Sequence, residues 1–270
     1  MEREALLLWL AVGVYVAAGS LAIVGVVMGK RPERTVLGLL VLGLALHGLS
    51  IGLRWERLGH GPYLTMFEIL SSNIWSLLFI FSLAYWRFRP IRPIAAVVVP
   101  LVFIMMGWML LLNRGPGHLP ATYNTIWLAI HILFGKVFLG TVLVAVGMAG
   151  VILLRRAGVG VQKLSRLPDD RRLDDLAYRF MALGFIFETL MLIAGAIWAQ
   201  NAWGRYWSWD PLETWSFITW VVLAFALHLR ATLKPAPRRG AVLILTVFVL
   251  AFLTFFGVPF ISKVPHQGAI

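Results

Sequence analysis

The chain has 270 residues, of which 60% are hydrophobic and 13% charged, and its mean hydropathy is +0.84. These values exclude an ordinary soluble domain and indicate an integral membrane protein. The absence of cysteine excludes disulfides and thiolate metal sites within the chain. The net charge of +12 would suggest nucleic-acid binding in a soluble protein, but the basic residues lie in short loops between apolar stretches, and we expect no nucleic-acid partner.

The apolar stretches predict an all-α, polytopic membrane protein with about eight spans, because one spanning helix needs about 20 apolar residues. We expect a single membrane domain over residues 1–270. The predicted spans are Leu6–Met28, Val36–Leu53, Leu64–Trp86, Ile94–Leu112, Asn124–Leu154, Leu176–Trp198, Leu212–Thr232 and Ala241–Phe260.

The loops between the predicted spans alternate in basic content. Those on one side hold 17 of the 24 Lys and Arg residues, whereas those on the other side hold six. Because basic loops stay on the cytoplasmic side, this pattern predicts that both termini and the loop between the sixth and seventh spans lie outside.

That external loop belongs to a tryptophan-rich segment, residues 198–220, around which the chain is organised. The segment holds six of the twelve tryptophans, namely Trp198, Trp203, Trp207, Trp209, Trp215 and Trp220. An ordinary interfacial belt needs fewer rings, and flat aromatic faces suit a flat aromatic ligand. The same segment contains Asp210, Pro211 and Glu213, an order typical of a helix N-terminus, with Asp as N-cap and Pro in the first position.

Four of the six histidines are candidate iron ligands, because imidazole is a preferred axial ligand of haem. His131 lies in the outer part of the fifth span and His266 lies beyond the last span, so this pair could hold one haem against the tryptophans. His47 and His228 lie within spans and form the candidate membrane pair. The alternative for any single one is a hydrogen bond to a neighbouring helix.

The order Trp-Gly-x-x-Trp-x-Trp-Asp-Pro-x-Glu-Thr-Trp, which includes Gly204, resembles the tryptophan-rich WWD signature of the CcsA (ResC) family of cytochrome c biogenesis proteins. Further matches are Arg-Trp-x-x-x-Gly-His-Gly-Pro at 54–62, Phe67-Glu68 and Tyr178-Arg179, so the resemblance covers roughly residues 40 to 266. It implies the same division into an external pair, His131 and His266, and a membrane pair, His47 and His228.

The resemblance also implies a function. It suggests a multi-pass protein of a bacterial inner membrane that carries haem b through the membrane and presents it on the extracytoplasmic face. There the haem would be attached to the Cys-x-x-Cys-His thiols of apocytochrome c. The implied partners are a CcsB (ResB)-like membrane protein, apocytochrome c, membrane lipid and a thiol-reducing protein. The chain would then be the haem-handling subunit of a holocytochrome c synthase.

Two alternatives stay open, a CcmC-like haem transporter without ligase activity and a b-type electron-transfer subunit. In the haem-handling interpretation, Arg205 and Arg54 are candidates for binding the haem propionates, because an arginine fork binds carboxylates well.

Overall fold

The computed structural model describes residues 2–30, 32–159, 164 and 167–261, with the backbone alone for the last two. The described part is helical and contains no strand. Eight of its helical stretches are long and apolar enough to cross a membrane, which confirms the predicted all-α membrane protein with eight spans. The side on which each terminus lies stays a prediction.

The helices follow the predicted spans closely. They are α1 Glu2–Val27, α2 Glu33–Leu58, α3 Met66–Arg87, α4 Ala95–Leu111, α5 Ile126–Arg156, α6 Asp170–Trp203, α7 Pro211–Leu233 and α8 Pro237–Phe252. A 3₁₀ turn, Arg89–Ile94, leads into α4. The last span continues beyond α8 through a π-helical turn, Leu253–Gly257, into a short helix, Val258–Ile261. Pro259 lies in this helix and lacks the N–H that would bind the carbonyl of Phe255, which fits the irregular turn.

The chain divides into two compact units. The first comprises Met1–Gly117 and Leu153–Asp169, and the second comprises His118–Ile152 and Asp170–Ile270. In the first unit, α1 and α2 pack closely at Gly43, where an added Cβ would lie 2.4 Å from the ring of Tyr15. Small residues allow membrane helices to approach in this way.

The second unit contains most of α5 together with α6, α7 and α8, and it carries the whole tryptophan-rich segment. Its helices also meet at small residues. Gly184 of α6 lies against Thr141 of α5, and Gly135 of α5 lies against Met191 of α6. These contacts set the register of α5 and α6 and thereby position His131 for the site described below.

Candidate functional site

His131 occupies the second turn of α5, and a hydrogen bond fixes the orientation of its ring. Its Nδ1 lies 2.9 Å from the backbone carbonyl oxygen of Met191 in α6. A carbonyl oxygen can only accept, so Nδ1 donates, and in the neutral ring the lone pair then resides on Nε2. Histidine ligands of metals are commonly oriented in this way by a backbone carbonyl.

Gly195 makes that hydrogen bond possible. In an α-helix the carbonyl of Met191 points towards the residue four positions later, which is Gly195. A Cβ at Gly195 would lie 2.7 Å from Nδ1 and 3.0 Å from Cε1 of His131. The missing side chain therefore leaves room for the imidazole to reach the α6 backbone.

An aromatic cluster at the C-terminal end of α6 lies beside His131. The indole of Trp198 lies 6.2 Å from the imidazole, between centroids, and 5.0 Å from the indole of Trp203. Trp198 is only 3% exposed, and its N–H donates to the carbonyl of Thr122 at 2.9 Å. Tyr123 packs edge-on against it at 5.4 Å. His131 thus lies at the border of a rigid aromatic cluster, which we call the His131 cluster.

The other tryptophans of the segment form a ladder of rings. Trp207 and Trp209 pack edge-on at 5.6 Å, and each also meets Phe217 in α7. Phe217 stacks on Trp220, which stacks on Phe185 of α6 with 5.4 Å between centroids. The ladder extends from the loop along the first three turns of α7.

Trp209 is the most exposed member of the ladder and has a strained backbone. It is 65% exposed, and its φ of 60° lies in the left-handed region, which costs an L-residue about 1–2 kcal/mol. Backbone strain of this kind concentrates at functional sites. Thr214 donates from its hydroxyl to the Trp209 carbonyl at 3.1 Å and helps to hold this conformation. Trp209 therefore presents a broad indole surface from a fixed backbone.

The first turn of α7 anchors the loop, as its sequence predicts. Asp210 is the N-cap and accepts from the Glu213 N–H at 2.9 Å, and Pro211 is the first helical residue. The buried carboxylate of Glu213 accepts from the N–H and the hydroxyl of Ser208. Both acidic side chains therefore hold the loop that carries Trp207 and Trp209.

The remaining segment residues occupy supporting or peripheral positions. Gly204 ends α6 with a φ of 73°, a left-handed conformation suited to glycine at a helix C-terminus. Arg205 follows it and is exposed. The carbonyl of Trp215, in α7, accepts from the hydroxyls of Thr219 and Thr254.

The indole of Trp220 is held by a hydrogen bond to Thr189, a residue that was not among the predicted site residues. The Trp220 N–H donates to the Thr189 hydroxyl at 2.8 Å, and that hydroxyl donates to the Phe185 carbonyl. We expect Thr189→Val to leave the N–H without its acceptor and to destabilise the protein by about 1 kcal/mol. Thermal unfolding in detergent, followed by near-ultraviolet circular dichroism, measures the loss.

Thr246→Val is the matched control for that substitution. The exposed Thr246 hydroxyl donates only to the carbonyl of Val242 in its own helix. We expect no loss of stability from this variant, so an equal loss in both variants would contradict a specific role of Thr189.

The other predicted histidines lie in separate surroundings. His47, in α2 of the first unit, is buried, with Nε2 2.9 Å from the Ser71 hydroxyl and its ring edge-on to Tyr15. His228, in α7 of the second unit, is exposed and lies five positions before the helix ends at Leu233. Their pairing stays a prediction, and His266 lies outside the described residues.

Arg54 is committed to contacts within the first unit. Its Nε and Nη2 donate to Glu68, its Nη1 donates to Glu4, and the carbonyls of Arg114 and Gly115 accept the remaining two N–H groups. A guanidinium has five N–H donors, so all are used. This geometry gives no support to Arg54 as a propionate ligand, and Arg205 remains the candidate.

Comparison with known proteins places the chain in a family. A family model described as cytochrome C assembly protein matches residues 63–266. The cytochrome c biogenesis protein CcsA of Chlamydomonas reinhardtii is 28% identical over 257 residues, which cover 92% of this chain and 69% of that protein. The CcsA protein of Guillardia theta is 31% identical over 246 residues, covering 81% and 80%. That of Prochlorococcus marinus strain MIT 9312 is 31% identical over 278 residues, covering 90% and 87%. The chain therefore belongs to the cytochrome c assembly protein family, and its role lies in cytochrome c biogenesis.

Proposed function

We propose that the chain binds haem b as its cargo and presents it at the tryptophan-rich segment for attachment to apocytochrome c. The observation that carries this proposal is the orientation of His131. Its Nδ1–H donates to the Met191 carbonyl, which makes Nε2 the nitrogen that can bind iron, in a ring 6.2 Å from the indole of Trp198 between centroids. An imidazole held in one orientation next to flat aromatic surfaces suits a porphyrin.

Different residues of the chain would bind different parts of the haem. His131 would supply one axial ligand, and His266 is the proposed second ligand on the same side. The ladder of Trp207, Trp209, Phe217 and Trp220 would pack on the porphyrin, and Arg205 would bind a propionate. His47 and His228 are the proposed ligands of a haem within the membrane, before it reaches the external site.

The attachment itself requires no redox change in this chain. Each reduced thiol of the Cys-x-x-Cys-His motif adds across a haem vinyl group, so a C–S bond forms and the thiol proton goes to the neighbouring vinyl carbon. The chain has no cysteine, so both thiols come from apocytochrome c. The proposed partners are a CcsB (ResB)-like membrane protein and a thiol-reducing protein in an extracytoplasmic compartment, with this chain in a bacterial inner membrane.

The experiment that tests this function uses a host that lacks its own cytochrome c maturation. The chain is expressed there with a ResB-like partner and an apocytochrome c, and covalently bound haem is measured in the product. We expect haem attachment with the wild-type chain and at least a hundredfold loss with His131→Ala. The purified wild-type complex should show a bis-histidine b-type spectrum that His131→Ala weakens.

His118→Ala is the matched control, because His118 is an exposed histidine of the same unit. It should leave both attachment and spectrum unchanged. Undiminished attachment in His131→Ala would refute the proposed ligand. Bound haem without any attachment would instead favour a transporter that lacks ligase activity.

A further inference from the structure

A cavity opens at the end of the second unit that is opposite to the tryptophan-rich segment along α7. It lies between the end of α7 and the start of α8, and its volume is about 600 Å³. Leu229, Leu233, Val242 and Leu243 form apolar walls, and Arg238 and Arg239 also line it. Leu233 is 71% exposed and lies at the end of a candidate spanning helix, so the apolar walls continue onto a surface suited to acyl chains.

The basic side chains at this end outnumber the available carboxylates. Asp174 and Asp175 are both paired with Arg230. The exposed Arg238 and Arg239 have no ion pair within the described part of the chain. A neighbouring cavity of about 380 Å³ adds two further basic side chains, Arg179 and Lys234. The end of the unit is therefore strongly positive.

The N-terminus of α8 adds a third attraction for an anion. Its N-cap is Ala236, which offers no side-chain acceptor, and the helix starts at Pro237. Pro237 has no N–H, and the N–H groups of Arg239 and Gly240 donate to the Ala236 carbonyl, so the N–H of Arg238 is the one that can meet an anion at this positive helix end. Arg238 and Arg239 belong to this first turn, so two side chains and the helix dipole act on the same place.

We propose that this cavity binds one anionic phospholipid from the leaflet on that side, predicted to be cytoplasmic. The phosphate would bind to Arg238, Arg239 and the α8 N-terminus, and an acyl chain would lie along Leu233 and Val242. Basic pockets between membrane helices on the cytoplasmic side bind anionic headgroups in this manner. The site is independent of the haem-handling function and lies in the same unit as the His131 cluster.

The test counts the lipids retained by the purified full-length chain. The delipidated protein is incubated with phosphatidylglycerol and phosphatidylcholine of identical acyl chains, and native mass spectrometry measures each bound species. We expect one site that prefers phosphatidylglycerol at least tenfold. Each basic residue near an anionic headgroup strengthens binding by roughly fivefold, so Arg238→Gln/Arg239→Gln should lower the affinity by about 30-fold.

Two further variants make the result specific. Arg87→Gln/Arg89→Gln removes two exposed arginines from the first unit and should leave the affinity unchanged. Val242→Trp keeps both arginines but narrows the cavity. This variant should lower the affinity for phosphatidylglycerol without changing the binding of inorganic phosphate. It also tests the site if the double arginine variant fails to fold.

Three results would overturn the proposal. An equal loss in Arg87→Gln/Arg89→Gln would show that only overall charge matters. Displacement of phosphatidylglycerol by equimolar inorganic phosphate would show an anion site that does not use acyl chains. Retention of added haemin, with no preference for phosphatidylglycerol, would assign the cavity to a different amphiphile.

Discussion

Gly195→Ala should lower the haem occupancy of the proposed site at His131 by roughly 10–100-fold, the range found when the group orienting a metal ligand is lost. The new methyl carbon would lie 2.7 Å from Nδ1 of His131, far inside contact distance. Because the ring is held between α5 and the Met191 carbonyl, it can give way only by losing that hydrogen bond. Its Nε2 would then no longer point in the direction that the His131 cluster fixes.

A loss of haem occupancy in Gly195→Ala cannot be explained by a weaker helix. Alanine is a better helix former than glycine by about 1 kcal/mol, so α6 itself should not be weakened. Gly107→Ala in α4 is the matched control, since nothing lies within 4 Å of the added carbon. The b-type absorption per protein measures occupancy in both variants. Full occupancy in Gly195→Ala would show that the Met191 carbonyl does not orient the ligand.

The number and positions of the spans could be predicted because a long run of apolar residues is sufficient to identify a membrane helix. The helix ends could not be predicted as well. The sixth span was expected at Leu176–Trp198, whereas α6 extends over Asp170–Trp203. The terminal turns of α6 contain Asp170 at one end and Gln200 and Asn201 at the other, and these residues lower the hydropathy without breaking the helix. Hydropathy reports what a bilayer accepts, and a helix can continue past the bilayer into water.

The site was predictable only where it is local in sequence. The N-cap role of Asp210 follows from four consecutive residues, and the structure confirms it. The hydrogen bonds from His131 to Met191 and from Trp220 to Thr189 join residues 60 and 31 positions apart. They depend on the register between two helices, and this register cannot be read from a single sequence.

Arg54 illustrates the same limit for charged groups. Its guanidinium made it a plausible partner for a propionate. The carboxylates that it binds belong to Glu4 and Glu68, which lie 50 and 14 positions away in the chain. The folded first unit brings both carboxylates to the same guanidinium. The side chain is only 5% exposed there, so its main effect should be on stability.

Arg54→Met should therefore destabilise the first unit by about 3–5 kcal/mol, because removal of one partner leaves the buried carboxylate of Glu68 without its counter-charge. The ion pair with Glu68 has an N–O distance of 2.8 Å, and that with Glu4 has one of 3.1 Å. Two backbone carbonyls in the loop at Arg114 and Gly115 would also lose their donors. Thermal unfolding of the purified protein, compared at one heating rate, measures the shift in midpoint.

Arg57→Met is the matched control, because it also removes one arginine that binds Glu4. Arg57 donates to the second carboxylate oxygen of Glu4, the one that Arg54 does not contact. The Arg57 side chain is 34% exposed, and solvent-exposed ion pairs contribute less than about 1 kcal/mol. Adding Glu68→Gln to Arg54→Met should recover part of the lost stability, since a neutral amide no longer buries a charge and can still take part in the α3 capping box with Thr65. If Arg54→Met instead left the midpoint unchanged and lowered haem occupancy, the guanidinium would be serving a propionate and the buried network would not be its main role.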